Sequence, residues 1–248
     1  MSEPNLSFRR LAPPPWRCNS LLGSLPAPEA ALLAPFIRDV ALPRSSVLYE
    51  ADEPIGCVYF PHDAVISRVA PFEDGGSIVT AVTGRESACG IDVALARPRA
   101  PDRAVVLISG TAARITAADL QAAALRSPAL RELAARCTAL LISQLHQAAA
   151  CGACHGLEQR LSRWLLECSD RVGSNVHLTQ SVLAEMLGAR RTSVTLVAGS
   201  LQSSGAIKYS RGVIHIMDRP ALEASACECY RMIRQRADHL ASGYANAS

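Results

Sequence analysis

No run of about 18 apolar residues occurs anywhere in the sequence, so nothing in it reads as a membrane-spanning helix. The N-terminal stretch MSEPNLSFRRLAPPPWR lacks the apolar centre of a secretory signal, and a cytoplasmic chain is expected. In that compartment the nine cysteines are expected as free thiols rather than disulfides. Catalytic signatures are missing as well. There is no G-x-x-x-x-G-K phosphate loop, no G-x-S-x-G elbow, no H-E-x-x-H and no dinucleotide fingerprint. Glu50 and Asp52 are neighbouring carboxylates, but in a turn-like context typical of solvated loops, so an enzyme is not expected. Lysine is almost absent. Lys208 stands alone, the other basic residues are arginines, and the formal net charge is a slight +3. No internal repeat or low-complexity block appears.

What is present is enough for one or two domains with proper cores: 248 residues, 49% of them hydrophobic. Residues 1 to 18 are rich in proline and lack periodicity, which suggests a flexible tail. A helical piece follows, with Leu32, Leu33, Phe36 and Ile37 as its apolar residues. From Pro43 to Ile115 short apolar runs alternate with turn residues. The runs are Val47 to Tyr49, Val58 to Phe60, Val65 to Val69, Ile78 to Val82, Val105 to Ile108 and Ala112 to Ile115. Glu53-Pro54, Asp74-Gly75-Gly76, Gly84, Gly90 and Gly110 punctuate them. Many short strands at this spacing predict a sandwich or jelly roll. A long helical pattern runs from Pro128 to about Ala150. In it Leu130, Leu133, Cys137, Leu140, Leu141, Leu145 and Ala148 recur at a spacing near 3.5 residues, a seam suited to a partner helix.

The stretch LTQSVLAEMLGARRTSVTLVAGSL, Leu178 to Leu201, holds two short amphipathic segments broken at Gly188. Val182, Leu183, Met186 and Leu187 form one apolar stripe; Val194, Val197, Ala198 and Leu201 form the other. Thr179 is placed to cap the first segment. Two helices joined by a short turn containing Gly make a helix-turn-helix pattern. Arg190, Arg191, Thr192, Ser193 and Thr195 open the second helix, the composition expected of a helix that enters a DNA major groove. The alternative is an αα-hairpin whose arginines coat a solvated face. A hairpin follows, with Lys208 and Arg211 near its tip, as a wing touching the DNA backbone needs.

The words EQRLSRWLLECSDR, LTQSVLAEMLG and YSRGVIHIMDR resemble the DNA-binding half of the Crp/Fnr family of bacterial transcription regulators. LPRSSVLYEADEPIGCVYFP and AVTGRESACGIDVAL are similar to its sensor domain. The resemblance covers roughly residues 20 to 235. It implies an α+β fold in which residues 19–127 form a cyclic-nucleotide-binding-like double-stranded β-helix. A dimerisation helix and hinge at 128–154, a winged helix-turn-helix at 155–235 and a tail at 236–248 follow. It also implies a homodimer on a two-fold site in double-stranded DNA, with RNA polymerase as a further partner if the protein activates. The DNA-contacting set it implies is Thr179, Gln180, Arg190, Arg191, Thr192, Ser193, Thr195, Lys208 and Arg211. Arg191 takes the place of the family's guanine-reading arginine, whereas Thr192 replaces a Glu and Leu196 an Arg. In the family's phosphate cassette a Gly-Glu pair and an Arg followed by Ser or Thr hold cyclic nucleotide. Here Gly90 is followed by Ile91 and Arg103 by Ala104, so cyclic AMP is not expected to bind in the usual way.

Two cysteine patterns compete with this reading. Cys151-Gly-Ala-Cys154-His155 spells the C-x-x-C-H of c-type haem, but without an export signal or a distal ligand a structural role at the hinge is expected. An iron–sulfur cluster of the kind one branch of the family carries needs closely spaced N-terminal cysteines, and Cys18, Cys57 and Cys89 are far apart. Cys227 and Cys229, if helical, would face different ways, so neither a metal nor a cofactor is expected. The competing hypothesis is a haem- or redox-cofactor sensor whose C-terminal domain docks a protein.

Overall fold

The structure, a computed structural model, describes residues 15–95 and 99–242. The tail expected at 1–18 falls largely outside the described residues. Inside them, Pro15–Cys18 form a 3₁₀ turn that buries Trp16, so order begins earlier than expected. Helices α1 (Ser20–Gly23) and α2 (Ala27–Leu33) follow. The helical residues expected around 32–37 are divided: Leu33 is buried in α2, while Phe36 and Ile37 lie beyond its end and Phe36 is exposed.

The sensor strands are β1 (Arg38–Leu42), β2 (Val47–Tyr49), β3 (Cys57–Pro61), β4 (Val65–Pro71), β5 (Ser77–Thr83), β6 (Arg103–Ile108) and β7 (Gly110–Thr116). Every apolar run singled out in the sequence is a strand. β1 was missed because RDVAL buries just its last residue and alternates weakly. The strands pair antiparallel into a three-stranded sheet, β1-β7-β3, and a four-stranded one, β2-β6-β4-β5. Their facing sides share a core of Val58, Phe60, Ile66, Ala104, Val106, Ala113 and Ile115.

The four-stranded sheet is covered on its other side too, and this explains the unbroken apolar runs. Successive side chains of a strand point to opposite faces. Ala104 and Val106 therefore enter the sandwich, while Val105 and Leu107 face a second core. That second core is shared with the C-terminal half of the chain: Val65, Val69, Val79 and Val82 pack with Leu161, Trp164, Leu165, Leu183 and Leu187. Strands buried on both faces read as continuous hydrophobic runs.

After β7 come α3 (Ala117–Arg126) and α4 (Pro128–Cys154), capped by Thr116 and Ser127 respectively. Then α5 (Leu157–Val172), β8 (Asn175–Val176), α6 (Gln180–Leu187), α7 (Arg191–Ser203), β9 (Ile207–Ser210), β10 (Val213–Ile216), α8 (Arg219–Ser225) and α9 (Cys229–Ser242) complete the order. The tail expected from residue 236 is therefore helical as far as Ser242. α9 lies back along α4, with Arg236 donating to Ser143 Oγ at 3.0 Å and to Gln147 Oε1 at 3.3 Å.

The seam expected along α4 needs correction. Leu130, Leu133 and Cys137 belong to the sensor core of the same chain, and Leu140 is buried as well. The 3.5-residue spacing had gathered residues from two faces of one helix. Thr138, Leu141, Leu145 and Ala148 remain half-exposed and Ile142 is exposed, at spacings of three and four. This narrower stripe is the free face of α4. Among the described residues no helix is long and apolar enough to cross a membrane.

Candidate nucleic-acid interface

The capping signals in the sequence operate as read. Thr179 Oγ1 accepts from the Val182 N–H at 3.4 Å, opening α6, a cap worth roughly 1 kcal/mol. Gly188 closes α6 with φ +55, and its N–H reaches the carbonyls of Ala184 and Glu185. A left-handed residue at this place turns the chain within two residues so that Arg190 can start α7. Arg160, on α5, donates to the Leu187 carbonyl at 2.6 Å and fixes the end of α6. Val194, Ala198 and Leu201 anchor the inner face of α7.

The outer face of α7 presents Arg190, Arg191, Thr192, Thr195 and Leu196, all exposed. Leu196 is 76% exposed, unusual for a leucine on an ordered helix with a packed inner face. An apolar side chain there suits a thymine methyl in the major groove. Ser193 is half-buried at the edge of this face. Thr195 Oγ1 donates to the Arg191 carbonyl at 2.9 Å and lies 3.2 Å from the Gln180 side-chain oxygen. Thr195 and Gln180, both expected to touch DNA, are therefore engaged with each other across the two helices.

β9 and β10 pair antiparallel, and β8 joins the other side of β10. The connection is Arg211-Gly212, with φ +49 and +80. Positive φ at both central residues is the turn that matches the twist of a two-residue hairpin. It leaves Arg211 exposed at the tip and Lys208 exposed opposite His215. Gln202 accepts from the Tyr209 N–H at 2.9 Å, tying the wing to α7. A Cβ on Gly212 would stand 3.7 Å from Thr179, so the wing tip adjoins the cap of α6. The start of α6 thus adjoins the wing turn through Thr179 and the start of α7 through Gln180. Gln202 and Arg160, which position these elements, were not singled out from the sequence, because polar residues inside a helical stretch carry no local signature.

The fit with known proteins follows this geometry. Residues 159–225 match the family model of the Crp-like helix-turn-helix domain. The C-terminal part of the chain is therefore a Crp-like helix-turn-helix domain. About three quarters of the chain is similar in fold to solved structures. FixK2 from Bradyrhizobium japonicum superposes with a TM-score of 0.67 at 17% identity, covering 77% of this chain and 98% of its own. A CRP/FNR-family regulator from Thermus thermophilus gives 0.63 at 18%, covering 76% and 98%. CLP from Xanthomonas campestris, a c-di-GMP responsive global regulator, gives 0.63 at 14%, covering 78% and 100%. At these identities the likeness is one of fold. No curated protein sequence matches the chain.

The N-terminal β-sandwich contains a cavity of about 170 Å³, bounded by Arg68, Thr83, Ser87, Ile91 and Asp92 on one side and by α4 on the other. Ile91 puts an apolar side chain at the cavity, as expected. Arg103 does not reach it: it is half-exposed and ion-paired with Glu50 at 3.0 Å on the outer side of β6. Ala104 is fully buried in the sandwich. The charged group at the cavity is instead Arg68, on β4, 2% exposed and bonded through Nε to Asp102 at 2.7 Å. Its guanidinium also stands 5.6 Å from the Tyr49 ring. Burial raises the Asp102 carboxyl above its ordinary value, and the Arg68 charge and hydrogen bond oppose that. A charge inside the run VISRVA was the sequence signal for this pair, and it went unread.

The haem reading fails on geometry. Cys151 is fully buried while Cys154 is exposed, so the two thiols of the C-x-x-C-H do not share one accessible face. The Cys151 thiol lies 3.5 Å from Cys227 Sγ, and that contact is the main cause that lowers its pKa below the ordinary thiol value.

Proposed function

We propose that this chain is a sequence-specific regulator that binds a two-fold DNA operator as a homodimer and does not use cyclic AMP as its signal. The observation that carries the DNA contact is the exposed start of α7, where Arg191, Thr192 and Leu196 stand together beside a wing bearing Lys208 and Arg211. An arginine contacting guanine, an apolar side chain contacting thymine methyl and basic wing residues contacting phosphate divide the labour between base reading and positioning. Footprinting of genomic fragments with the full chain tests it. Protected sites should share a palindrome whose half-sites lie one helical turn apart. Uniform protection without a common sequence would refute sequence-specific reading.

The wing gives a separable test. Lys208→Ala and Arg211→Ala should each weaken binding to all sequences alike and reduce the slope of log K against log salt by about one unit. A variant that changes sequence preference but keeps the slope assigns the wing to base reading instead.

The homodimer rests on the free face of α4. Leu141, Ile142 and Leu145 line both that face and the open side of the sensor cavity, so a second chain docked there would close the cavity as it buried the leucines. Leu141→Glu should give folded monomers that bind half-sites poorly, since the sensor core is built from other residues of α4. Light scattering that finds the wild type monomeric at micromolar concentration would remove the basis for a two-fold site.

Calorimetry with cyclic AMP and cyclic GMP should show no binding tighter than about 100 μM, because the missing polar contacts are worth several kcal/mol. A micromolar dissociation constant coupled to tighter operator binding overturns this part of the reading.

A further inference from the structure

Cys151 lies on the last turn of α4 and His155 is its C-cap residue; Cys227 sits in the link from α8 to α9, and Cys229 is the first residue of α9. The expectation that Cys227 and Cys229 diverge on a helix is overturned, because the helix starts only at Cys229 and the extended link turns Cys227 inward. The three sulfurs and one imidazole nitrogen all lie within 4.8 Å of one another. Cys151 Sγ is 3.5 Å from Cys227 Sγ, and Cys229 Sγ is 3.5 Å from His155 Nδ1. A tetrahedral zinc ion, with bonds of about 2.3 Å to sulfur and 2.0–2.1 Å to nitrogen, requires its donors to stand about 3.5–3.8 Å apart. The three cysteines are between 0% and 4% exposed.

We propose that Cys151, His155, Cys227 and Cys229 form a structural zinc site that clasps the two ends of the DNA-binding domain to the long helix. Three soft sulfurs and an imidazole favour zinc over the hard cations that oxygen ligands take. Four protein donors leave no open position for a substrate, which marks a structural rather than a catalytic centre. The surroundings supply what such a site needs beyond its ligands. His155 Nε2 lies 3.2 Å from Glu228 Oε1, so that nitrogen carries the proton toward the carboxylate and Nδ1 is free to ligate. Histidine ligands are commonly oriented in this way by a carboxylate on the far nitrogen. Gln147 donates to Cys229 Sγ at 3.0 Å, and Arg236 of α9 reaches Gln147 Oε1 at 3.3 Å.

Position gives the site its role. The matched helix-turn-helix domain runs from residue 159 to 225. Two ligands precede it and two follow it. Binding one ion therefore closes a loop of roughly 70 residues, which restricts the unfolded chain as a disulfide across the same span would. It also pins the beginning of α9 against α4 at the point where the sensor's helix gives way to the DNA-binding domain. Each cysteine loses its proton on binding, so zinc uptake releases protons and is favoured by rising pH.

The test is metal analysis of the full reduced chain, purified without chelators or a metal-affinity tag. About one zinc per chain is expected. Chelator-stripped wild type should take up one equivalent of cobalt(II) and show the intense visible bands and thiolate charge transfer of a tetrahedral sulfur site. Its melting temperature should fall by roughly 5–15 °C when the metal is removed. Cys227→Ser should lose most of the cobalt signal. Cys229→His, which preserves a ligand, should keep metal with a shifted spectrum and so separates loss of a ligand from loss of folding. Cys154→Ser, altering the exposed neighbour, should change nothing. A folded, reduced wild type that binds neither zinc nor cobalt overturns the proposal. So does an equal loss in Cys154→Ser, or a Cys151–Cys227 disulfide in native, metal-free protein.

Discussion

Asp102→Ala should destabilise the chain by about 3–5 kcal/mol, the loss typical of a buried ion pair stripped of one member. Arg68 is 2% exposed and has Nε bonded to Asp102 at 2.7 Å, while its Nη2 has no partner among the described residues. Without the carboxylate the guanidinium keeps its charge in a nearly fully buried position, deprived of its ion-pair partner. The neighbouring Tyr49 ring and the hydroxyl–thiol contact between Tyr49 and Cys89, 3.2 Å apart, are too weakly polar to replace it. Urea unfolding measures the loss. Adding Arg68→Leu to Asp102→Ala should recover much of it, because the pair is then replaced by apolar atoms rather than broken. A single-variant loss below about 1 kcal/mol, in the range of exposed pairs, would mean that solvent reaches Arg68 in solution.

Arg191→Ala should weaken specific DNA binding by about 1–3 kcal/mol and relax one base position in each half-site. The side chain is exposed at the first residue of α7, on a helix held from behind by Val194, Ala198 and Leu201. Its removal leaves the fold untouched, so melting temperature serves as the control. Selection from a randomised half-site separates this from a phosphate contact. A loss that is uniform over sequences, with a reduced salt slope, moves Arg191 from reading to positioning. Leu196→Arg is the informative companion, since it replaces an apolar contact with a charged one on the same exposed face.

How far the sequence could be read depended on whether the physics was local. The caps at Thr179 and Gly188, the turn at Arg211-Gly212 and the strand runs rest on neighbours in the chain, and all stand where they were expected. The start of α7 was legible for the same reason. Failures occurred where distant segments meet. The stripe on α4 looked like one seam because periodicity does not say which neighbour buries a residue, and α9 with the sensor core claims part of it. The cassette comparison covered Arg103 and Ala104 and passed over Arg68, which lies at the cavity while Arg103 pairs with Glu50 away from it. Cys227 and Cys229 were dismissed on helix geometry, although Cys227 lies two residues before the helix begins. Their meeting with Cys151 and His155 across some 70 positions has no trace in local spacing.

The second core has a consequence for anyone working with fragments. The sensor sheet, α5 and α6 share one apolar core: Val65, Val69, Val79 and Val82 are internal residues for both halves. Gly84 lets the Arg171 side chain lie across the sheet, with Nη2 2.6 Å from Glu86 Oε1, and Ser77 donates to Glu185 at 2.6 Å. A cut at the end of α4 would therefore divide a hydrophobic interior and leave each piece with a sticky wall. Expressed alone, the helix-turn-helix half should aggregate or need detergent, although its sequence carries every mark of an autonomous module. In this chain the boundary of the motif and the boundary of the folding unit are different places.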